Sequence, residues 1–298
     1  MTSEMKEVKV RKATAADCLN WKTGAGEWSL DFSRPLMMSI INLTPDSFSD
    51  GGRFSAPEEA VEAALREEAD GADMFDLGAE STRPGADAVD GDEEWKRLEP
   101  VLTGLGKISQ KPVSIDTYKA GVAEKALKGG AAIINDIYAG LKEPRILEVA
   151  AEYGVPIILM HMKGEPGTMQ KAPHYDNVVA EVHDFLAERA EAAQRAGVPK
   201  EMIWLDPGLG FGKNAGHNLM LIKHFDQAVP RGYRRLMALS RKAFLGHLMG
   251  GAPPAERDSL TAAAGAISVL NGADILRVHR CRPSRDAASL AQALIEAR

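Results

Sequence analysis

The sequence contains only two cysteines, Cys18 and Cys281, in 298 residues. They lie far apart in the chain, so a disulfide framework is excluded, and reduced thiols are the simpler interpretation. No apolar run reaches the length of about 18 residues that a membrane-spanning helix needs. The N-terminus mixes charges of both signs and has no apolar segment of the kind found in secretory signals. We therefore expect a cytoplasmic protein that does not interact with membranes.

Blocks of positive charge are also absent. The chain carries 36 Lys and Arg residues against 42 Asp and Glu residues, which gives a formal net charge of −6. Non-specific binding of nucleic acid depends mainly on neutralising phosphates, so this balance argues against a nucleic-acid partner. The hydrophobic fraction of 45% and the charged fraction of 26% are ordinary for a globular protein with a hydrophobic core. Local basic pockets are still compatible with this composition.

Short apolar runs alternate with longer amphipathic segments along most of the chain. The majority of these runs are apolar throughout, as expected for parallel strands that are covered on both faces. No linker rich in Pro, Gly or Ser divides them. Eight strand-then-helix units predict an α/β fold with a single (β/α)8 TIM barrel, and an open doubly wound sheet is the alternative. The eight runs begin at Leu36, Met74, Pro112, Ala132, Ile157, Met202, Arg235 and Ile275.

The segment before the first run lies outside the eight strand-then-helix units. We expect residues 1–27 to form an N-terminal extension that is poorly ordered where it is polar. Residues 28–298 are then the barrel domain. The stretch from Trp28 to Phe32 predicts an extra short strand, which we expect to cover the N-terminal end of the barrel.

Polar residues close all eight runs. In a (β/α)8 barrel the functional residues lie at the C-terminal ends of the strands. Capping preferences alone would place Asp, Asn and Ser at such positions. They do not account for carboxylates, amides and cations that all converge on one rim, which predicts a binding site there. These residues are Asn42, Asp76, Asp116, Asn135, Asp136, His161, Asp206, Ser240, Lys242, Arg277 and His279.

Eight recognisable stretches contain most of these strand ends. They are NLTPDSFSDGG from Asn42, ESTRPG from Glu80, SIDTYK from Ser114, INDI from Ile134, LMHMKGEPGTMQ from Leu159, LDPGLGFGKN from Leu205, SRK from Ser240 and RVH from Arg277. In order and spacing they resemble dihydropteroate synthase over nearly the whole chain after Trp28. The resemblance implies a transferase of folate biosynthesis. Its reaction joins 6-hydroxymethyl-7,8-dihydropterin diphosphate to 4-aminobenzoate, giving 7,8-dihydropteroate and pyrophosphate.

The pterin pocket that the resemblance implies combines polar strand ends with apolar walls. Its residues are Asp116, Asn135, Met160, Asp206, Phe211, Gly212 and Lys242. Carboxylate and amide oxygens suit a dihydropterin, because its edge presents N–H donors. Two buried carboxylates are costly unless a ligand or Lys242 compensates them. Met160 and Phe211 are interpreted as walls against the flat ring, with ordinary core packing as the alternative.

The resemblance also implies a diphosphate site and a cofactor. The diphosphate site consists of Asn42, Thr82, Arg83, Arg277 and His279, and Asn42 is in addition the implied ligand of Mg2+. A leaving diphosphate needs positive charge and N–H donors, and Mg2+ prefers oxygen ligands and substrate phosphates. Zinc is not predicted, since the Cys and His residues lack the usual ligand spacings.

The implied aminobenzoate site consists of Phe48, Pro84 and Lys242, and sulfonamides are expected to compete there. The implied catalytic residues are Lys242, Asp116, Arg277 and His279. The resemblance implies dissociative substitution, in which pyrophosphate leaves first, so that no nucleophilic side chain is required. The absence of a Ser or Cys triad signature agrees with this. The small-molecule substrates are the only expected partners apart from a second copy of the chain in a homodimer.

Three positions depart from the family pattern, and two other functions stay open. Ala79 replaces a glycine, Ala243 stands where a serine often lies near the aminobenzoate carboxylate, and Arg280 stands where an aspartate is common. One alternative is a pterin-binding methyltransferase with a corrinoid partner, which would keep the Asp and Asn residues of the pterin site but lack Lys242 and the loops that contain Phe48 and Pro84. The other is a catalytically silent homologue that binds pterin or serves as a partner subunit.

Overall fold

The first elements of the structure are two antiparallel strands, β1 (Cys18–Thr23) and β2 (Gly26–Asp31), in a sheet of their own. The sequence predicted only the second of them. In β1 the buried residues Leu19 and Trp21 alternate with exposed polar residues, which is the pattern of a strand with one covered face. The computed structural model describes residues 17–43, 56–80, 89–165 and 167–297.

The hairpin covers the N-terminal end of the barrel, as predicted. Nε1 of Trp21 donates a hydrogen bond of 3.0 Å to the carbonyl oxygen of Ala132, immediately before a barrel strand. Phe32, just after the hairpin, packs edge-on against Trp204 with 6.0 Å between the ring centroids. The guanidinium of Arg234 lies 4.0 Å from the Phe32 ring centroid. Residues 1–16 lie outside the described residues, and the division of the chain at residue 28 stays a prediction.

Eight parallel strands form a closed barrel in which the last strand pairs with the first. This arrangement confirms the predicted (β/α)8 barrel and excludes the open doubly wound sheet, which would leave two edges unpaired. The barrel strands are β3 (Leu36–Asn42), β4 (Met74–Gly78), β5 (Val113–Asp116), β6 (Ile133–Asp136), β7 (Ile157–Met160), β8 (Ile203–Asp206), β9 (Arg234–Ala238) and β10 (Ile275–Val278).

Helices follow the barrel strands and form the outer layer. They are α1 (Ala56–Ala69), α2 (Gly91–Ile108), α3 (Ala120–Lys128), α4 (Arg145–Tyr153), α5 (Val178–Arg195), α6 (Ala215–Lys223), α7 (Phe225–Ala228), α8 (Ala243–Leu248), α9 (Asp258–Leu270) and α10 (Cys281–Glu296). Local sequence sets several of their starts. The side chain of Asp90, for example, accepts hydrogen bonds from two backbone N–H groups of the first turn of α2.

The hydrophobic core lies between the strands and the outer helices. Every residue of β6, β7 and β8 is buried, and these strands are apolar except for Asn135 and Asp136 at the end of β6 and Asp206 at the end of β8. Helix α2 buries Leu98, Val101, Leu102 and Leu105, a spacing that places them on one helix face. None of the helices in the described ranges is both long enough and apolar enough to span a membrane.

Candidate active site

Strand register brings the polar strand ends together at one end of the barrel. Asp116 of β5 pairs with Gly78 on one side and with Asn135 on the other. Across the barrel, Met160 of β7 pairs with Asp206 of β8. The strands are parallel, so these residues all lie at the C-terminal rim, where the polar ends were expected to converge.

Arg277 connects two carboxylates at the centre of this rim. Its Nε donates a hydrogen bond of 2.6 Å to Oδ2 of Asp76, and its Nη2 donates one of 2.7 Å to Oδ2 of Asp116. Asn135 Nδ2 donates to the same Asp76 oxygen at 3.0 Å. The other oxygen of Asp76, Oδ1, is buried and has no hydrogen-bond partner among the described residues. The cluster therefore keeps acceptor capacity that a ligand N–H group or a water molecule can use.

Asp76 was predicted as one of the polar residues of the rim, but it was assigned to none of the pterin, diphosphate or aminobenzoate sites. It lies in the middle of β4 and is fully buried. The available signal was an aspartate inside an otherwise apolar strand, because a buried carboxylate requires a cation or several hydrogen-bond donors. The predicted diphosphate residue Arg277 supplies that cation, so its guanidinium lies against carboxylates of the pocket.

Burial shifts the acid–base behaviour of the two predicted pterin carboxylates. It raises the pKa of Asp116 to about 7, an effect opposed by Arg277 and reinforced by Asp76. Burial also raises the pKa of Asp206 to about 6, opposed by the backbone N–H of Gly208 and by Lys242. Both groups thus change charge close to neutral pH, where a ligand that donates hydrogen bonds favours their ionised forms.

Lys242 extends into the same pocket from the residue before α8. Its Nζ lies 4.5 Å from the centroid of the Phe211 ring, which is a cation–π distance. Burial lowers the pKa of Lys242 to about 8, although Asp206 and Asp116 oppose the shift. The structure therefore brings a cation, an aromatic ring and two carboxylates into one cluster at the C-terminal rim.

Two glycines of the segment between β8 and α6 allow close backbone contacts. Gly208 has φ +66°, and a Cβ atom there would lie 1.9 Å from the carbonyl oxygen of His161. Gly212, one of the predicted pterin residues, has φ +64°, and its Cβ would lie 2.1 Å from the carbonyl oxygen of Lys163. Any larger residue would push the two segments apart and move the Phe211 wall between them.

Lys213 is a residue that the sequence did not single out for the site. It is only 2% exposed. Its Nζ donates to the carbonyl oxygens of Gly208 at 2.9 Å and Phe211 at 3.0 Å, and lies 2.8 Å from Nδ1 of His161. Burial lowers its pKa well below the ordinary value. The amino group of Lys213 holds the glycine-rich segment in its folded form through these contacts, a role that its sequence neighbours Gly212 and Asn214 do not indicate.

The predicted diphosphate residues that the structure describes lie around β3 and β10. Asn42 is the last residue of β3 and is partly buried. Nδ1 of His279 lies 2.9 Å from Oγ of Ser240, and burial lowers the pKa of His279 to about 3, so its imidazole is neutral. Four other predicted residues lie outside the described residues. They are Phe48, Thr82, Arg83 and Pro84.

Arg280, one of the departures from the family pattern, points toward α1. Its guanidinium lies 3.3 Å from Glu67 and 3.8 Å from Asp70. The Arg280 side chain is thus paired with carboxylates at the C-terminal end of α1. Ala79 is buried, and its carbonyl oxygen accepts a hydrogen bond of 3.1 Å from Arg97. Ala243 is exposed at the first position of α8.

Comparison with known proteins identifies the relatives of this chain. The sequence model of a family described as pterin binding enzyme matches residues 38–279. The dihydropteroate synthase of Escherichia coli K12 is 43% identical over 91% of this chain and 95% of its own length. The Yersinia pestis dihydropteroate synthase, solved with a sulfonamide drug, covers 94% of this chain and all of its own, with a TM-score of 0.86 and 39% identity. The Xanthomonas albilineans dihydropteroate synthase, solved with 4-aminobenzoic acid, covers 91% of this chain and 96% of its own, with a TM-score of 0.85 and 43% identity.

Fold and site together define a pterin-binding enzyme built on a (β/α)8 barrel. Within that class the chain belongs to the dihydropteroate synthase family, and its enzyme class is transferase. The family resemblance read from the eight sequence stretches is thereby confirmed.

The glycine contact can be tested by comparing Gly208→Ala with Gly154→Ala. Gly154 has nearly the same backbone angle, φ +62°, but nothing lies within 4 Å of a Cβ there. Gly154→Ala should lower the free energy of unfolding by about 1–2 kcal/mol, the cost of a left-handed residue alone. Gly208→Ala should cost more than about 3 kcal/mol, because the clash is added. Urea unfolding measures both, and equal losses would contradict the proposed steric role of Gly208.

The raised pKa of Asp206 predicts a stability gain in Asp206→Asn that depends on pH. The ionised carboxylate costs stability, a cost that is absent below the unfolded pKa and complete above the folded pKa of about 6. Asp206→Asn should therefore raise the free energy of unfolding by on the order of 1–2 kcal/mol at about pH 8 and by almost nothing at about pH 4. Urea unfolding at the two pH values, with the surface variant Asp184→Asn as control, measures this. A gain of the same size at both pH values would contradict it.

Proposed function

We propose that this chain catalyses the condensation of 6-hydroxymethyl-7,8-dihydropterin diphosphate with 4-aminobenzoate, giving 7,8-dihydropteroate and pyrophosphate. The observation that carries the proposal is the set of inward-facing groups at the C-terminal rim. The carboxylates of Asp116 and Asp206, the amino group of Lys242 and the ring of Phe211 form one cluster there. Membership in the dihydropteroate synthase family supports the same reaction.

The pterin is held by complementary hydrogen bonding and stacking in this proposal. Asp116, Asp206 and the amide of Asn135 accept and donate along the polar edge of the ring. Met160, which is buried at the end of β7, and Phe211 enclose its faces. The binding of N–H donors stabilises the ionised carboxylates, whose burial is otherwise costly. Gly212 keeps the backbone close enough for the ring to fit.

The diphosphate end of the substrate is assigned to Asn42, Arg277 and His279, together with Thr82 and Arg83. The neutral imidazole of His279 can donate one N–H to a phosphate oxygen. Arg277 contributes positive potential, although its N–H groups also bind Asp76 and Asp116.

Magnesium fits this site as an ion that arrives with the diphosphate. The described residues contain no group of three or more His, Cys, Asp or Glu side chains placed to hold a metal. Asn42 would offer a single amide oxygen, and phosphate oxygens and water would supply the other oxygen ligands that Mg2+ prefers. Bound there, Mg2+ would neutralise charge that develops on the leaving pyrophosphate.

The chemistry that we propose is dissociative. The bond between the pterin methylene carbon and the diphosphate oxygen breaks first, and its electron pair leaves with pyrophosphate. The electron-rich dihydropterin stabilises the resulting cation, and the anionic groups Asp116 and Asp206 favour positive charge beside them. The amine of aminobenzoate, oriented by Lys242, Phe48 and Pro84, then bonds to the methylene carbon and loses a proton. No protein nucleophile takes part.

Substitution at Lys242 tests the proposed reaction. Lys242→Ala and Asp116→Ala should each lower turnover by about 10²–10³-fold, because each removes a group that contacts substrate. The assay follows pyrophosphate release with and without aminobenzoate and Mg2+, and Lys96→Ala, on the exposed face of α2, is the control. Release should require Mg2+, and a sulfonamide should raise the apparent KM for aminobenzoate. Lack of pyrophosphate release by the wild type would favour the methyltransferase or the silent homologue.

We also propose that the enzyme forms a homodimer in the cytoplasm. Most of the exposed large apolar side chains among the described residues lie on neighbouring outer helices, α6, α8, α9 and α10. These residues are Leu219, Met220, Leu248, Ile267, Leu270, Leu290, Leu294 and Ile295, with Met249 directly after α8. Exposed apolar side chains concentrated on a few outer helices are typical of a subunit interface. Both cysteines are free thiols, which agrees with a reducing compartment.

A charge placed in this apolar surface should dissociate the dimer. Leu290 on α10 is 63% exposed, so Leu290→Glu should leave the barrel folded but bury a carboxylate in the interface. Ile108→Glu is the matched control, because Ile108 is 54% exposed at the end of α2, a helix outside this surface. Sedimentation equilibrium should give a monomer for the first variant and a dimer for the second. A wild-type protein that is monomeric at every concentration contradicts the proposal.

A further inference from the structure

We infer that Asp258 is a positioning residue for Lys242 and acts through Arg241, whose backbone the first turn of α9 holds in a left-handed conformation. The inference rests on the proposed function, in which Lys242 contacts both substrates. It concerns the three residues Ser240, Arg241 and Lys242 of the SRK stretch, of which only the last was assigned to substrate.

Arg241 has φ +56°, a left-handed backbone conformation that residues other than glycine rarely adopt. Such a conformation persists only when surrounding contacts impose it, and it is found preferentially at functional sites. Here it lies between Ser240, which contacts His279, and Lys242, which extends over Phe211. A change of the backbone at Arg241 would redirect the Lys242 side chain.

Three separate contacts hold Arg241, and all come from the start of α9. Its backbone N–H donates to Oγ1 of Thr261 at 3.1 Å, and its carbonyl oxygen accepts from Nη1 of Arg257 at 2.9 Å. Its guanidinium forms two hydrogen bonds of 2.7 Å with the carboxylate of Asp258. A bidentate arginine–carboxylate pair fixes orientation as well as distance. Backbone and side chain are thus held to the same helix.

Helix α8 by itself is a weak support for Lys242. It contains only six residues, Ala243–Leu248, and Lys242 makes no side-chain cap to it. Arg257 spans this segment by donating to the carbonyl oxygens of both Arg241 and Ala252. Gly246 of α8 packs so close to Arg257 that a Cβ there would lie 2.4 Å from its Nε. The orientation of Lys242 is therefore determined from α9.

Desolvation makes such support necessary. The aliphatic chain of Lys242 lies against Gly210, where a Cβ would be 3.3 Å from Cδ, and its ammonium group lies in the partly dehydrated pocket. A long, flexible lysine would gain hydration and rotamer freedom by turning to solvent. The contacts of Arg241 oppose that movement, because they fix its backbone and thereby direct the Lys242 side chain toward the pocket.

The first test measures the exposure of Lys242 directly and does not depend on catalysis. Asp258→Asn keeps the size of the side chain but weakens the bidentate pair. In the full-length protein, labelling with trinitrobenzenesulfonate, read by peptide mass spectrometry, should be about tenfold faster at Lys242 than in the wild type, with Lys96 as internal reference. Glu152→Gln is the matched control, because Glu152 forms an equally short bidentate pair with Arg145 on α4. Unchanged labelling of Lys242 in Asp258→Asn would overturn the inference.

The second test uses turnover to separate positioning from general stability. Asp258→Asn should lower kcat/KM by about tenfold in the wild type but by less than about twofold in the Lys242→Ala background, because both changes act through the same ammonium group. Equal losses in the two backgrounds would overturn the inference. If the wild type shows no turnover at all, the proposed function fails, while the labelling result still decides the role of Asp258.

Substitutions at Arg241 separate the effect of its backbone conformation from the effect of its salt bridge with Asp258. Arg241→Gly loses the contact with Asp258 but adopts a positive φ without strain, whereas Arg241→Ala loses the contact and keeps the strain. Glycine should therefore retain about fivefold more kcat/KM than alanine. Equal activities of the two variants would show that the left-handed backbone is not what directs Lys242.

Discussion

The Arg277 guanidinium is the interaction on which the rest of the rim depends. It forms hydrogen bonds to Asp76 and Asp116 at once, from the last strand to the second and third strands of the barrel. Two carboxylates this close would repel each other without a cation between them. Asn135 also donates a hydrogen bond to Asp76. Polar side chains of β4, β5, β6 and β10 are thereby linked in one network.

The charges of the pocket are arranged for binding rather than for stability. Burial raises the pKa values of Asp116 and Asp206 and lowers that of Lys242, so each of these groups is held in an environment that opposes its charge. A ligand with donors on one edge and an anionic group at the other end relieves these costs when it binds. The hydrophobic core between the strands and the helices stabilises the fold and offsets the free-energy cost of these buried charged groups.

Local sequence predicted the barrel and its polar rim, because buried parallel strands and their polar ends follow directly from the order of residues. The run at Ile275, for instance, became β10 with Arg277 and His279 at its end. Tertiary contacts decided what was missed. Strand β1 depends on Trp21 contacting a residue 111 positions away, and Asp76 acquires its role from an arginine 201 positions away. The left-handed conformation of Arg241 is imposed by α9, and its own sequence gives no sign of it.

The glycines at positions 208 and 212 have a consequence for how the pocket can vary. A Cβ atom at either position would collide with the carbonyl oxygen of His161 or Lys163, so no side chain fits between the segments after β7 and β8 there. Substitutions at these two glycines therefore cannot enlarge or reshape the pocket without separating the two segments. Variants that discriminate between a natural ligand and an inhibitor while keeping the fold must therefore arise elsewhere on the rim, where side chains rather than main chain meet the ligand.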